Sequence, residues 1–268
     1  MDENTYKVSG TIEYDVSEQT FPGISELSVP DVKQIRVIKT VYINQMNDVV
    51  FKGFTTRHMR IFMTILGAVC NQGCNKYTFS FSSLRKVLND NDIKNWEICD
   101  VLEDIRRNLE NLVVWVTYMD DQDAHFPIFS TLKGIEGEGV FEVAVNPLFK
   151  HFVNDFSSDY PFMEISLNSF NKLRSKHSQT LFRLLRQWRQ KADCQCFYDI
   201  ERLKKIMMLE NMNNKDFNRD IITKSIKELN KTPEFKYLRI DKKAMKGQRP
   251  IKRIYFRWDR LKDGEDDV

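Results

Sequence analysis

Apolar positions along the chain fall into two successive sets of segments with the same order, helical spacing alternating with short strand-like runs. In the first set, residues 35–51 read as extended and stop near Gly53. Thr55 or Thr56 can then cap a helix in which Met59, Phe62, Met63, Leu66 and Val69 recur at the 3.6-residue period. A short strand over 77–81 precedes a helix opened by Ser82, with Leu84, Val87 and Leu88 predicted inward. A polar turn at 89–92 leads to a longer helix whose buried side is predicted to carry Ile93, Trp96, Val101, Ile105, Leu109 and Leu112. Strands are expected at 113–119, 125–133 and 140–145, with Gly134, Gly137 and Gly139 marking a hairpin that calls for positive φ.

The second set repeats this order with different residues. It predicts a capped helix near 168–174, a helix over 178–190, a short strand over 196–198 and a helix over 199–208. A polar turn at 210–214 precedes a helix over 216–231. Strands at 235–241 and 249–258, with Tyr237, Ile240, Ile254 and Phe256 inward, then close around a loop holding Lys242, Lys243, Lys246 and Gly247. Three helices with a terminal strand pair make a winged helix-turn-helix, which can lay its third helix in a DNA major groove and its loop on the flanking backbone. The expected class is α+β, two tandem winged-helix domains with a flexible N-terminal arm. The divisions are an arm at 1–32, domains at 33–155 and 156–262, and an acidic tail at 263–268.

Charge sharpens this picture. The formal net charge is only +3, yet residues 172–262 carry 26 Lys/Arg against 10 Asp/Glu (+16), leaving 15 against 28 (−13) elsewhere. The cations are interleaved with Leu, Ile, Phe, Tyr and Trp, so they decorate a folded surface that suits a polyanion. On the predicted helix 216–231, Phe217, Ile221, Ile222, Ser225, Ile226 and Leu229 form the packing stripe. The opposite face holds Asn218, Arg219, Thr223, Lys224, Lys227 and Asn230. Arg and Asn near a helix N-terminus can read guanine and adenine edges, and Lys215 and Lys224 can meet phosphates. The loop adds Lys242, Lys243, Lys246 and Arg249 as a wing. In the acidic first half, Arg57, Arg60, Arg85, Lys86, Lys94, Arg106 and Arg107 are the available backbone contacts, and Lys94, Arg106 and Arg107 lie on its third helix.

Other chemistries find less support. Histidines 58, 125, 151 and 177 are scattered, none of the ten glycines stands in a phosphate loop ending Gly-Lys-Ser/Thr, and the acidic groups at 90–92 and 120–123 read as turns. No catalytic centre, metal or cofactor is expected. Five cysteines without metal-ligand spacing fit free thiols. No apolar run approaches the ~20 residues of a membrane span, and the acidic start lacks signal-peptide order, so the expected location is cytoplasmic with no membrane partner.

The run 173–188 (LRSKHSQTLFRLLRQW), the segment 199–203 (DIERL) and the stretch 215–230 (KDFNRDIITKSIKELN) resemble the carboxy-terminal winged helix of the iteron-binding plasmid replication initiators. Lys246-Gly-Gln-Arg249 and Ile254-Tyr-Phe256 are similar to that family's wing and closing strand. The resemblance implies two winged helices that bind repeated origin sequences in duplex DNA as a monomer. It also implies a homodimer that represses its own gene, and a host replication initiator and helicase as partners, with no hydrolytic activity. The family's basic positions after the Asp-Phe pair fall on Asn218, Arg219 and Asp220, and Arg219 is the strongest base-reading candidate. A winged-helix transcriptional regulator or partition-type adaptor without origin activity is the alternative.

Overall fold

The computed structural model describes residues 31–110, 127–154, 161–189, 193–241 and 252–259. Residues 1–30 of the expected N-terminal arm, the strand over 113–119, the acidic tail and the wing residues Lys242, Lys243, Lys246 and Arg249 lie outside the described residues, while Val32, expected in the arm, belongs to a strand.

The first winged helix starts from two strands, β1 (Val32–Lys33) and β2 (Lys39–Ile43), and a 3-10 turn at Asn44–Asp48. The expectation of continuous extended chain over 35–51 therefore fails, because the polar run after Ile43 closes into that turn. Helix α1 (Thr56–Val69) follows, capped by Thr55, whose hydroxyl accepts from the His58 amide. Its apolar residues continue almost all round, and Met59, Ile61, Phe62, Ile65 and Leu66 are buried. Strand β3 (Tyr77–Ser80) feeds α2 (Phe81–Leu88), capped by Ser80 rather than the expected Ser82 and closed by left-handed Asn89. Helix α3 (Asn95–Glu110) buries Ile98, Leu102, Ile105 and Leu109. Trp96 departs from expectation: it is 53% exposed, because the buried stripe runs through Ile98 and leaves the first turn outside.

The hairpin β4 (Phe129–Ile135) and β5 (Val140–Val145) completes a sheet in the order β1-β3-β5-β4. Of the three hairpin glycines only Gly139 has positive φ (+65°). Gly134 is needed for space instead, since a Cβ there would lie 2.6 Å from the Cys99 sulfur. A one-turn helix α4 (Lys150–Val153) ends this half.

Strand β6 (Phe162–Ser166) returns to pair antiparallel with β2, Tyr42 opposite Met163, so the entry to the first winged helix and the entry to the second share one ladder. Ser166 caps α5 (Leu167–Lys172), and Ser175 caps α6 (Lys176–Arg186), which is shorter than the predicted 178–190 and starts earlier. Strand β7 (Gln195–Asp199) leads into α7 (Ile200–Met207), closed by left-handed Met208. Residues 214–229 then form one continuous helix of three parts: α8 (Asn214–Asp216), a π-helical segment Phe217–Ile222 and α9 (Thr223–Leu229). Strands β8 (Arg239–Ile240) and β9 (Arg253–Arg257) form a sheet in the order β7-β9-β8.

Aromatic rings tie the second core together. Phe170 meets Phe182, Phe182 meets Phe235 and Phe235 meets Trp258, each edge-on at centroid distances of 5.9, 5.2 and 6.4 Å. The Tyr198 hydroxyl donates to the Leu184 carbonyl at 2.6 Å and accepts from Trp188 Nε1 at 2.7 Å, locking β7 onto α6. The predicted strand over 235–241 shrinks to two residues because 233–235 forms a 3-10 turn. Tyr237, expected inward, takes φ +68° and is 60% exposed.

Candidate nucleic-acid interface

The helix of residues 214–229 is the third helix of the second winged helix. Asn213 caps it, its side-chain oxygen accepting from the Asp216 amide at 2.9 Å. Phe217, Ile222 and Leu229 are fully buried and anchor it to the core, while Ile221 is half-buried. The backbone widens into a π turn over this segment, and Phe217 and Ile222, five positions apart, both lie on the core side. The Thr223 amide and hydroxyl both donate to the Asn218 carbonyl, the hydroxyl at 2.7 Å. π segments are rare and concentrate at functional sites.

The turn so widened presents the predicted base-reading residues. Lys215, Arg219, Thr223, Lys224 and Lys227 are all exposed on one helix. Asn218 is half-buried, with its side-chain oxygen buried and unpartnered, so it is less available than the sequence suggested. Arg219 is held in a chain of charges. It donates to Asp216 at 2.7 Å and to Asp220 at 2.6 Å, and Asp220 also meets Lys224 at 3.1 Å. Hydrogen bonds from Arg219 and then Lys224 hold the Asp220 carboxyl well below the ordinary range, at about 2. Both exposed cations thus rest against carboxylates of their own helix.

The first winged helix offers less. Lys94 sits at the start of α3, where its amide donates to Glu97 at 2.8 Å. Arg106 and Arg107 lie one helix-length away, ~18 Å along the axis, and both clamp Glu103, at 2.6 and 3.0 Å. Those paired cations push the Glu103 carboxyl down to about 2, the Arg106 hydrogen bond first. Three candidates on one helix therefore form no single cluster. Arg85 donates to the Ile93 carbonyl and to Asn95, and Arg60 to the Leu173 carbonyl at 2.8 Å, so these two brace the fold rather than stand ready as backbone contacts.

The sequence reading missed a further basic surface on the short sheet. Arg239, Arg253 and Arg257 alternate outward on β8 and β9, paired with Asp259, Asp199 and Asp241 at 2.9, 2.9 and 3.8 Å. Arg253 also lies 4.8 Å over the ring of half-exposed Phe197. The period-2 repeat Arg253, Tyr255, Arg257 was the signal available for it.

Helix, strand, two helices and hairpin, repeated twice, define a tandem winged-helix protein. Residues 39–186 match the family model for the first winged helix of initiator replication proteins, and residues 199–258 match that for the second winged helix of initiator Rep proteins. The chain belongs to the initiator replication protein family. It is 26% identical over 150 residues to a probable replication protein rep of Bifidobacterium longum (strain NCC 2705), covering 55% of this chain and 49% of that protein. The match thus spans about half the length of that curated relative. Among solved structures it is similar in fold to the Pi initiator protein, crystallised in complex with iteron DNA. The TM-score is 0.66 and the identity 14%, over 87% of this chain and 100% of that one.

Proposed function

We propose that this chain initiates plasmid DNA replication by binding repeated origin sequences (iterons) in duplex DNA and recruiting a host replication initiator and helicase. The observation that carries the reading is the row of Lys215, Arg219, Thr223, Lys224 and Lys227, exposed on a helix that Phe217, Ile222 and Leu229 fix to the core. Arg219 reads a base edge, and Lys215, Lys224 and Lys227 meet phosphates. Lys242, Lys243, Lys246 and Arg249 serve as the wing, and Lys94, Arg106 and Arg107 supply weaker backbone contacts from the first domain. Membership of the initiator family and the fold shared with an initiator crystallised on iteron DNA support this reading.

In the same reading the domains divide at about residue 155, and a homodimer built through the first represses the chain's own gene. The protein works in the cytoplasm by binding and recruitment, without catalysis. The test is genetic. A plasmid carrying the origin but deleted for the reading frame should replicate only when the chain is supplied in trans. Normal replication without it would leave a transcriptional regulator as the better description.

A further inference from the structure

A cleft of about 510 Å³ lies between α1 and helices α6 and α7, and none of its lining residues belongs to the helix of residues 214–229. Phe51, Phe54, Met59, Ile206 and Met207 give it an apolar lining, Thr55, Lys176, His177, Gln179 and Arg183 add polar groups, and no Asp or Glu lines the cleft.

Arg183 is the unusual group. It is 1% exposed, and among the described residues no carboxylate forms an ion pair with it. Its guanidinium lies 4.6 Å from the Phe51 centroid, one terminal nitrogen donates to the Met46 carbonyl at 3.4 Å, and Tyr42 is a further partner. Nε has no acceptor. A buried cation without a counter-charge is costly to keep. Gln179 is fully buried beside it. Its amide nitrogen donates to the Thr56 carbonyl at 3.4 Å, while its oxygen receives no donor.

The backbone adds positive potential from two sides. Both α1 and α6 begin at the cleft, at Thr56 and Lys176, and neither has an acidic residue in its first turn. A second basic hollow, lined by Arg60, Lys86, Lys172 and Arg174, lacks this feature. There α2 and α5 end, and Lys86 and Lys172 already complement their C-terminal dipoles.

We propose that the cleft between α1 and α6 is a binding site for a small organic anion of nucleoside monophosphate type. The phosphate meets Arg183, Lys176 and the two helix N-termini. A ring or exocyclic N–H of the base donates to Gln179 Oε1, and the flat base lies against Phe51, Phe54 and Met207. Pockets of this size and mixed lining suit ligands of that size. The ligand touches helices of both winged helices and is separate from the DNA-reading face.

Isothermal titration of the full chain without DNA tests this, using adenosine monophosphate, adenosine and inorganic phosphate as probes. The expected result is saturable binding of one adenosine monophosphate per chain, with adenosine and phosphate each at least about tenfold weaker. Arg183→Met should weaken the nucleotide by about tenfold or more while the melting temperature holds or rises, because an apolar side chain replaces a buried charge. Lys176→Ala, at an exposed position, should cost about two- to fivefold without affecting folding, and decides the matter if Arg183→Met melts early. A Lys215→Ala/Lys224→Ala variant should bind the nucleotide normally. No saturable binding up to millimolar nucleotide would overturn the proposal. So would equal binding of adenosine, indifference to both cleft substitutions, or loss in the Lys215/Lys224 variant.

Discussion

Asp220 controls how much positive charge the helix of residues 214–229 carries on its exposed face. With Asp216, Arg219 and Lys224 it forms a linked set of two cations and two carboxylates whose charges cancel. Its carboxyl, held at about 2, is ionised at every pH where DNA binding is measured. Asp220→Asn takes the local sum to +1, releases Lys224 and leaves Arg219 tied to Asp216 alone. Each further phosphate neutralised adds ~0.9 to the slope of log K against log salt. The variant should therefore steepen the slope by about one unit and bind random duplex about 3- to 10-fold tighter at 0.1 M salt. Cognate DNA should gain less, since Arg219 loses part of the brace that aims it, so the ratio of specific to random affinity should fall. Fluorescence anisotropy titrations of labelled cognate and random duplexes over a salt series read all three quantities. An unchanged slope with unchanged affinities would mean that this face of the helix does not meet DNA, and the reasoning would fail.

Three further outcomes are expected. Arg219→Ala should weaken cognate binding by about 5- to 150-fold and random binding far less, whereas Lys215→Ala should weaken both alike and flatten the salt slope by about one unit. Equal losses for Arg219→Ala on both duplexes would refute its base-reading role. Phe217→Ala removes the fully buried anchor of the π segment and should cost about 3–5 kcal/mol in urea unfolding; a loss below about 1 kcal/mol would show that the segment is not pinned there. Burial, and secondarily Lys176, lowers the His177 pKa from 6.5 to about 4. The unfolded chain thus takes up a proton below about 6.5 that the folded chain refuses until about 4. Stability from this group is complete above pH 6.5 and declines as pH falls through that window, by at most about 2 kcal/mol given its partial exposure. Urea midpoints at pH 7.5 and 4.5 should differ less in His177→Asn than in the parent; an equal difference would contradict the assignment.

The order of elements was legible because most of the helices carry a local side-chain cap and an apolar period. Thr55 with Met59, Phe62 and Leu66, and the Phe217 to Leu229 stripe, needed only local information. The pairing of β2 with β6 spans more than a hundred residues and leaves no local trace, so 35–51 reads as plain extended chain. The π turn was hidden because Ile221 and Ile222 are both apolar, and only packing shows that Ile222 is the buried one. Trp96 and Tyr237 read as core by hydrophobicity, yet a helix's first turn and a residue at positive φ left them outside. Candidate cations were found by type and spacing, but whether they are tethered depends on rotamers: Glu103 holds both Arg106 and Arg107, and Asp220 holds Arg219. Arg183 read as one more cation of the basic half, and its burial beneath Phe51 follows from tertiary packing alone.

The most direct test of the central claim is a nuclease footprint of the purified chain on the DNA flanking its gene. The account predicts regularly repeated protected sites spaced by about two helical turns, or ~21 base pairs, all lost together in Arg219→Ala. Protection without repeats, or a repeat pattern that Arg219→Ala leaves intact, would contradict it.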